Sequence, residues 1–211
     1  MDSFSLYLAL LQKWNKTYNL TAITDPKEIQ IKHFEDSLSL VPYLPTPPPA
    51  FGLKAHFVGK AGGGAKSCRL LDVGTGGGFP GIPVKIARPG IEVVLLDSSR
   101  KKIAFCQHVI RELKLEKIEA VQGRVENPDL IIEKFGLFDV VVTRATFSIS
   151  DFLERAGEYL TLEGKIIMMK GKEWEKELLP SEGWSLDKKI DYELKEGLGK
   201  RTLLFFTPQT L

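Results

Sequence analysis

The chain has 211 residues, 43% of them hydrophobic and 27% charged, with a formal net charge of +2 and a pI near 8.4. That balance fits one soluble globular domain with a substantial core and room for a small appendage, and its weak positive charge permits nucleic acid as a partner through local patches without demanding it. No stretch approaches the roughly 18 uncharged apolar residues of a membrane helix, and neither end carries a charged-then-apolar secretion signal, so a cytoplasmic monomer is expected.

The first forty-odd residues pattern as amphipathic helix, with Phe4, Leu6, Leu8, Leu10 and Leu11 leading and a second helix running from about Pro26 to Tyr43. Thr24 or Asp25 can cap that second helix, Pro26 suits its first turn and Glu28 favours its positive end. Prolines 45, 47, 48 and 49 stop it. Residues 45–67 mix those prolines with Gly62, Gly63 and Gly64 and read as an exposed linker; Lys54, His56, Lys60 and Lys66 in it are either solvated or an RNA-contacting arm. The expected organisation is therefore a helical extension over 1–44, a linker over 45–67 and the main domain over 68–211.

From CRLLDVG onward, short apolar runs alternate with amphipathic stretches: a helix over 81–88, EVVLLDSS, RKKIAFCQHVIRELKL, IEAVQGRVE, a short helix near 130–134, FDVVVTRA, SISDFLERAGEYL and GKIIMMKG. Five continuous apolar strands separated by helices imply parallel strands buried on both faces and joined by right-handed crossovers. The tail, SLDKKIDYEL and KRTLLFFTPQ around a Gly-Leu-Gly turn, predicts an antiparallel hairpin closing one sheet edge. Cys68 and Cys106 stand alone, which suggests two reduced thiols and no metal site.

In such a sheet, ligands bind beyond the carboxyl ends of the strands, and LLDVGTGGGFPG at 70–81 sits at the first strand-to-helix turn. Gly76, Gly78 and Gly81 also satisfy the dinucleotide pattern, so a nicotinamide or flavin reading stands beside the alternative. Asp72, two residues before Gly74, would repel a diphosphate and attract a cationic ligand. Asp97 ends the second strand, where a carboxylate accepts hydrogen bonds from both ribose hydroxyls. S-adenosylmethionine (AdoMet) meets these requirements, with a ribose, an adenine, a sulfonium, an ammonium and no phosphate. The order of DVGTGGG, LLDSS, GRVE and a closing hairpin resembles class I AdoMet-dependent methyltransferases, whose Rossmann-like sheet is mostly parallel.

The acceptor is narrowed by what ends strands four and five, Arg144 and Lys170. TRATF lacks the Asn/Asp-Pro-Pro-aromatic motif used on exocyclic amines, and both cysteines lie away from where a nucleophile for pyrimidine carbon 5 belongs. Lys170 is placed for a ribose 2′-hydroxyl, but Arg144 stands where that chemistry uses an aspartate. A ring nitrogen such as guanine N7 carries its own lone pair and needs only positioning. Small-molecule and protein acceptors can also be served by positioning alone.

The segments WNKTYNLTAITDPKEIQIKHFEDSL, DVGTGGGFPGIPVKI, LLDSSRKKIAF and VVTRA with a following KG resemble the RsmG family, also called GidB, over nearly the whole chain. The 45–67 connection is longer than the family usually has. The resemblance implies methyl transfer from AdoMet to N7 of a guanine in bacterial 16S ribosomal RNA, as naked RNA or in the small ribosomal subunit. It also implies cofactor positions at Gly74, Gly76, Phe79, Val125, Glu126 and Arg144, with Asp97 and Ser98 beside the ribose. In that frame Phe79 walls the cofactor, and Arg144 meets its carboxylate or an RNA phosphate. Each position has a structural alternative: Phe79 and Val125 in the core, and Glu126 as a helix N-terminal charge.

Asn15, Asn19, His33, Asp36 and Ser37 match the family's N-terminal signature; His33 and Asp36 read equally as a structural pair or as guanine-positioning groups beside Arg144 and Lys170. Lys32, Arg100, Lys101, Lys102, Lys170 and Lys172, with Asn15, Asn19 and His33, are the candidate RNA contacts. A ribose 2′-O-methyltransferase and a non-catalytic AdoMet- or RNA-binding protein remain as alternatives.

Overall fold

A computed structural model describes residues 2–45, 67–144, 147–177 and 182–209. Apart from its end residues, the 45–67 segment, including Lys54, His56, Lys60 and Lys66, lies outside the described residues.

Helix α1 (Ser3–Tyr18) opens at Asp2, whose Oδ1 accepts the amide hydrogens of Phe4 and Ser5, and closes at Asn19 in the left-handed conformation. Asn tolerates that geometry better than any other residue with a side chain except Asp, which explains this signature position without RNA. The second helix, α2, is not the uninterrupted element that the apolar spacing predicts. It begins as an α-helix at Pro26–Ile29, with Asp25 capping Glu28 at 2.8 Å, and continues as a π-helical stretch over Gln30–Glu35. A last α turn, Asp36–Leu38, completes it, and a separate 3-10 turn covers Val41–Tyr43. A guanidinium inserted against the Lys32 carbonyl accompanies the widened stretch, and such insertions are a recognised cause of helix distortion.

Among the described residues seven strands follow: β1 (Arg69–Val73), β2 (Glu92–Asp97), β3 (Ile118–Gln122), β4 (Phe138–Arg144), β5 (Leu160–Gly171), β6 (Trp184–Glu193) and β7 (Lys200–Pro208). Their order in the sheet is β3-β2-β1-β4-β5-β7-β6. The first five are parallel and the last two antiparallel, so the closing hairpin places β7 beside β5. The continuous apolar runs act as expected for doubly covered strands. Leu70, Val93, Leu95, Val140 and Val142 point into one core with α1, α2, α3 (Gly81–Ala87) and α4 (Arg100–Glu112). Leu71, Val73, Val94, Leu96 and Val141 point into the other, beneath α5 (Asp129–Phe135) and α6 (Ile149–Ala156). Edge strand β3 departs from the expectation: only Ala120 is buried there, because no strand covers its outer side. Among the described residues no helix is long and apolar enough to cross a membrane.

Candidate active site

At the carboxyl ends of β1, β2 and β3 the structure opens a cleft of about 280 Å³. It is lined by Val73, Gly74, Leu96, Asp97, Ser98, Lys102, Gly123, Arg124, Val125, Glu126 and Phe147. Five of the sequence-derived cofactor positions, Gly74, Asp97, Ser98, Val125 and Glu126, meet here. Asp97 is 7% exposed, its Oδ2 accepting the Gly76 amide at 2.9 Å and its Oδ1 the Ser99 amide at 2.9 Å. Each carboxylate oxygen keeps a second lone pair for a ligand hydroxyl. Lys102, expected among the RNA contacts, instead lies on the cleft wall with Nζ 3.8 Å from Oδ2 of Asp97. Val125 is fixed from below, since its carbonyl accepts the Tyr159 hydroxyl at 3.0 Å, and Glu126 pairs with Arg155 at 2.8 Å. Arg124 and Phe147 were missed by sequence reasoning; GRVE offered a weak pointer to the first, and nothing in TRATF marked Phe147.

The glycine loop is organised almost wholly by the protein itself. Gly74 and Thr75 donate to the Leu96 carbonyl, Gly78 and Phe79 to Thr75, Ile82 to Gly78, and Gly81 to Oδ2 of Asp72. A diphosphate needs such amides free at the start of the following helix, and here they are taken. The dinucleotide reading fails on that ground. Gly78 and Gly81 also exclude side chains for the sake of protein neighbours. A Cβ on Gly78 would lie 2.5 Å from the Tyr7 hydroxyl and from Ile82 Cδ1, and one on Gly81 would collide with Leu95 and Asp72. Gly76, at φ +60°, is the exception, with only the Gly74 carbonyl near, at 3.9 Å.

Two residues of this loop lie outside the cleft lining. Asp72 is fully buried, behind the loop rather than in the cleft, accepting from Gly81 and from the Thr75 hydroxyl at 2.6 Å. Burial pushes its carboxyl up to about 6, with those hydrogen bonds opposing, and its Oδ1 has no hydrogen-bond partner. Phe79 does not wall the cleft either. Its ring stacks on Tyr7 at 5.3 Å and on His33 at 4.6 Å, with the Arg144 guanidinium 5.2 Å from its centroid. The aromatic residue turns towards α1 and α2, where Tyr7, Phe34 and His33 supply ring partners.

Arg144 is committed to the same region. It donates to the Lys32 carbonyl at 3.0 Å, to His33 Nδ1 at 3.1 Å and to Asp36 Oδ2 at 3.3 Å. Since Arg144 can only donate, His33 Nδ1 accepts, and its Nε2–H points to the Thr21 hydroxyl at 2.8 Å. Burial first, and Arg144 second, hold His33 down at about 3, so the imidazole is neutral. Asp36 also accepts the Tyr192 hydroxyl at 2.7 Å and lies 3.8 Å from Arg201. His33 and Asp36 thus bond Arg144 rather than each other. Ser37 caps the carbonyl of His33 at 2.5 Å, and Asn15 brackets the backbone of Thr21 through both its amide groups at 2.9 Å. These contacts assign framework roles to the signature positions.

Lys170 is likewise occupied, donating to the Phe147 carbonyl and to Glu177. Lys32 pairs with Glu28 at 2.8 Å. Of the other RNA candidates, Arg100, Lys101 and Lys172 are exposed, with the Lys101 ammonium 5.9 Å from the exposed Tyr18 ring.

The residues present fit AdoMet: a carboxylate with spare lone pairs, apolar walls at Leu96, Val125 and Phe147, and a Gly74–Gly76 turn open on its outer side. Strand order, crossovers and the position of this cleft define the class I methyltransferase fold. Solved structures support it: TrmN from Thermus thermophilus aligns over 68% of this chain and 44% of its own, with TM-score 0.53 and 17% identity. The B. subtilis M1A22 tRNA methyltransferase TrmK aligns over 68% of this chain and 61% of its own, with TM-score 0.52 and 14% identity.

The family model for GidB, rRNA small subunit methyltransferase G, matches residues 1–49 and 58–204, and the chain belongs to that family. A ribosomal RNA small subunit methyltransferase G from Acinetobacter baumannii is 47% identical over 165 residues, spanning 78% of this chain and 68% of the relative. A protein of the same name from Burkholderia cenocepacia is 44% identical over 165 residues, spanning 78% of this chain and 64% of that protein.

Proposed function

We propose that this chain transfers a methyl group from AdoMet to N7 of a guanine in small-subunit ribosomal RNA, giving 7-methylguanosine. The observation that carries the choice of acceptor is the commitment of the side chains at the ends of β4 and β5. Arg144 is bound to α2 and Lys170 to Phe147 and Glu177, so neither is presented as a base. An acceptor with its own lone pair requires none.

AdoMet, when bound, supplies a methyl group made electrophilic by its sulfonium. In this reading Asp97 accepts ribose hydroxyl hydrogens, with the Lys102 Nζ 3.8 Å away on the cleft wall. Leu96, Val125 and Phe147 offer the apolar surface that an adenine needs, and Gly74, at φ +72°, keeps the loop close without a side chain. The guanine becomes cationic on methylation, and the neutral His33 adds no further positive charge beside Arg144. The exposed Arg100, Lys101 and Lys172 are the RNA phosphate contacts in this reading.

The test incubates the protein with labelled AdoMet and unmodified small-subunit RNA or small subunits, then maps N7-methylguanine by borohydride reduction and aniline cleavage. A new cleavage site is expected on one of the two substrates. No cleavage on either overturns the reading, and a phosphodiester newly protected from alkali would point to ribose 2′-O-methylation. AdoMet binding without transfer would make the chain a binding protein.

A further inference from the structure

Lys170, at the end of β5, is a lysine only 5% exposed. Its ammonium donates to the backbone carbonyl of Phe147 and to Glu177 Oε2, 2.6 Å away. Phe147 lies three residues beyond the end of β4, lines the cleft and stacks on Phe152 at 5.3 Å. Glu177 ends the turn that follows β5. One ammonium therefore ties the segment after β4 to the segment after β5, at the face where the cleft opens. An apolar side chain of the same length would be buried there without desolvating a charge, so packing alone does not account for a lysine.

We propose that Lys170 is a positioning residue for the cofactor, holding the Phe147 carbonyl so that the Phe147 ring stays in the cleft wall. It touches neither the cofactor nor RNA, and Glu177 holds it in turn. Loss of the ammonium frees the carbonyl, and the cleft wall at Phe147 loses its fixed position. The inference rests on reading the cleft as the AdoMet site.

Calorimetric titration of AdoMet into the full chain tests it without requiring turnover, alongside filter binding of small-subunit RNA. Lys170→Met is expected to weaken AdoMet binding about tenfold, the scale of one lost hydrogen bond, with RNA affinity unchanged. Phe147→Ala should give the same loss, the double variant no further loss, and Lys170→Arg should recover most of the affinity. Thermal unfolding checks that the variants are folded; if Lys170→Met is not, Glu177→Gln should weaken AdoMet binding in the same direction by less. The inference is overturned by AdoMet affinity unchanged in whichever variant folds, by losses from Lys170→Met and Phe147→Ala that multiply, or by a loss confined to RNA. A wild-type chain that binds AdoMet but transfers no methyl would defeat the proposed function and leave this role of Lys170 intact. A wild-type chain that binds no AdoMet would defeat the cleft reading beneath both.

Discussion

The strand-end face of the sheet is built in two unlike halves. Over β1 to β3 it is an open cleft whose polar groups, led by Asp97, keep unused hydrogen-bonding capacity. Over β4 to β7 it is closed by α2, and Arg144, Arg201, Asp36, His33 and Tyr192 satisfy one another. Both halves carry charged and ring-bearing side chains, so residue type does not separate site from framework. Spare valence does: an oxygen with a free lone pair facing a cleft is available to a ligand, whereas a guanidinium held by a carbonyl, an imidazole and a carboxylate is not.

Variants can break this contrast. The largest effect is expected from Asp36→Ala, which leaves Arg144, whose side chain is 16% exposed, without its carboxylate. Removing one partner of a buried pair costs about 3–5 kcal/mol, read as a lower denaturation midpoint in urea, while RNA affinity per folded molecule stays constant. A fall in RNA affinity with stability unchanged would move Asp36 to the substrate side.

His33 gives the next largest effect. Its folded pKa of about 3 lies below the unfolded value, so the folded state resists protonation and stability is lost as pH falls from about 6.5 towards 3. Asp72 works in the opposite sense. Its folded pKa, about 6, lies above the unfolded value, so its contribution is fully present below pH 4 and declines as pH rises towards 6. Unfolding free energy measured across pH 3 to 7 should therefore lose part of its acid-side fall in His33→Gln and steepen that fall in Asp72→Asn. Parallel curves for wild type and His33→Gln would contradict the neutral, buried imidazole.

Two glycines sharpen the comparison within one loop. Gly78→Ala forces a methyl against Tyr7 and Ile82 at φ +93° and should cost about 2–3 kcal/mol of stability. Gly76→Ala meets open space and should cost only the roughly 1 kcal/mol of its left-handed backbone, with a larger effect on AdoMet binding than on unfolding. On the open side, Asp97→Ala should weaken AdoMet binding by about 1.5–3 kcal/mol through lost charge-assisted hydrogen bonds. Unchanged affinity in calorimetry would remove Asp97 from the ribose.

The open half was the legible half. Strand ends are marked by apolar runs that stop, and EVVLLD ending in a carboxylate places Asp97 at a known position relative to the preceding loop. The parallel direction of the first five strands followed from the same alternation, and the hairpin from its short turn. The closed half was illegible because its partners are remote: His33 and Arg144 are separated by 111 residues, and Asp36 and Tyr192 by 156. No local spacing encodes such pairs. For the same reason His33 and Asp36, both signature residues on one helix, invited a substrate reading. At Phe79 the sequence left a ligand wall and a core position open, because the rings it joins arrive from α1 and α2. The glycines showed that backbone is approached closely but not by what, and at Gly78 it is Tyr7.

That contact carries a consequence for how the molecule is made. The Tyr7 hydroxyl donates to the carbonyl of Gly77, seventy residues further along. Helix α1 leaves a translating ribosome before the sheet does, but the packing of its buried Tyr7 is incomplete until Phe79 of the glycine loop and Phe105 of α4 have been synthesised. The cofactor loop, for its part, takes its final backing from a segment made some seventy residues before it. Trimming the amino terminus is therefore equivalent to editing the cofactor loop from behind, and a shortened chain would lose ligand affinity before it lost its sheet.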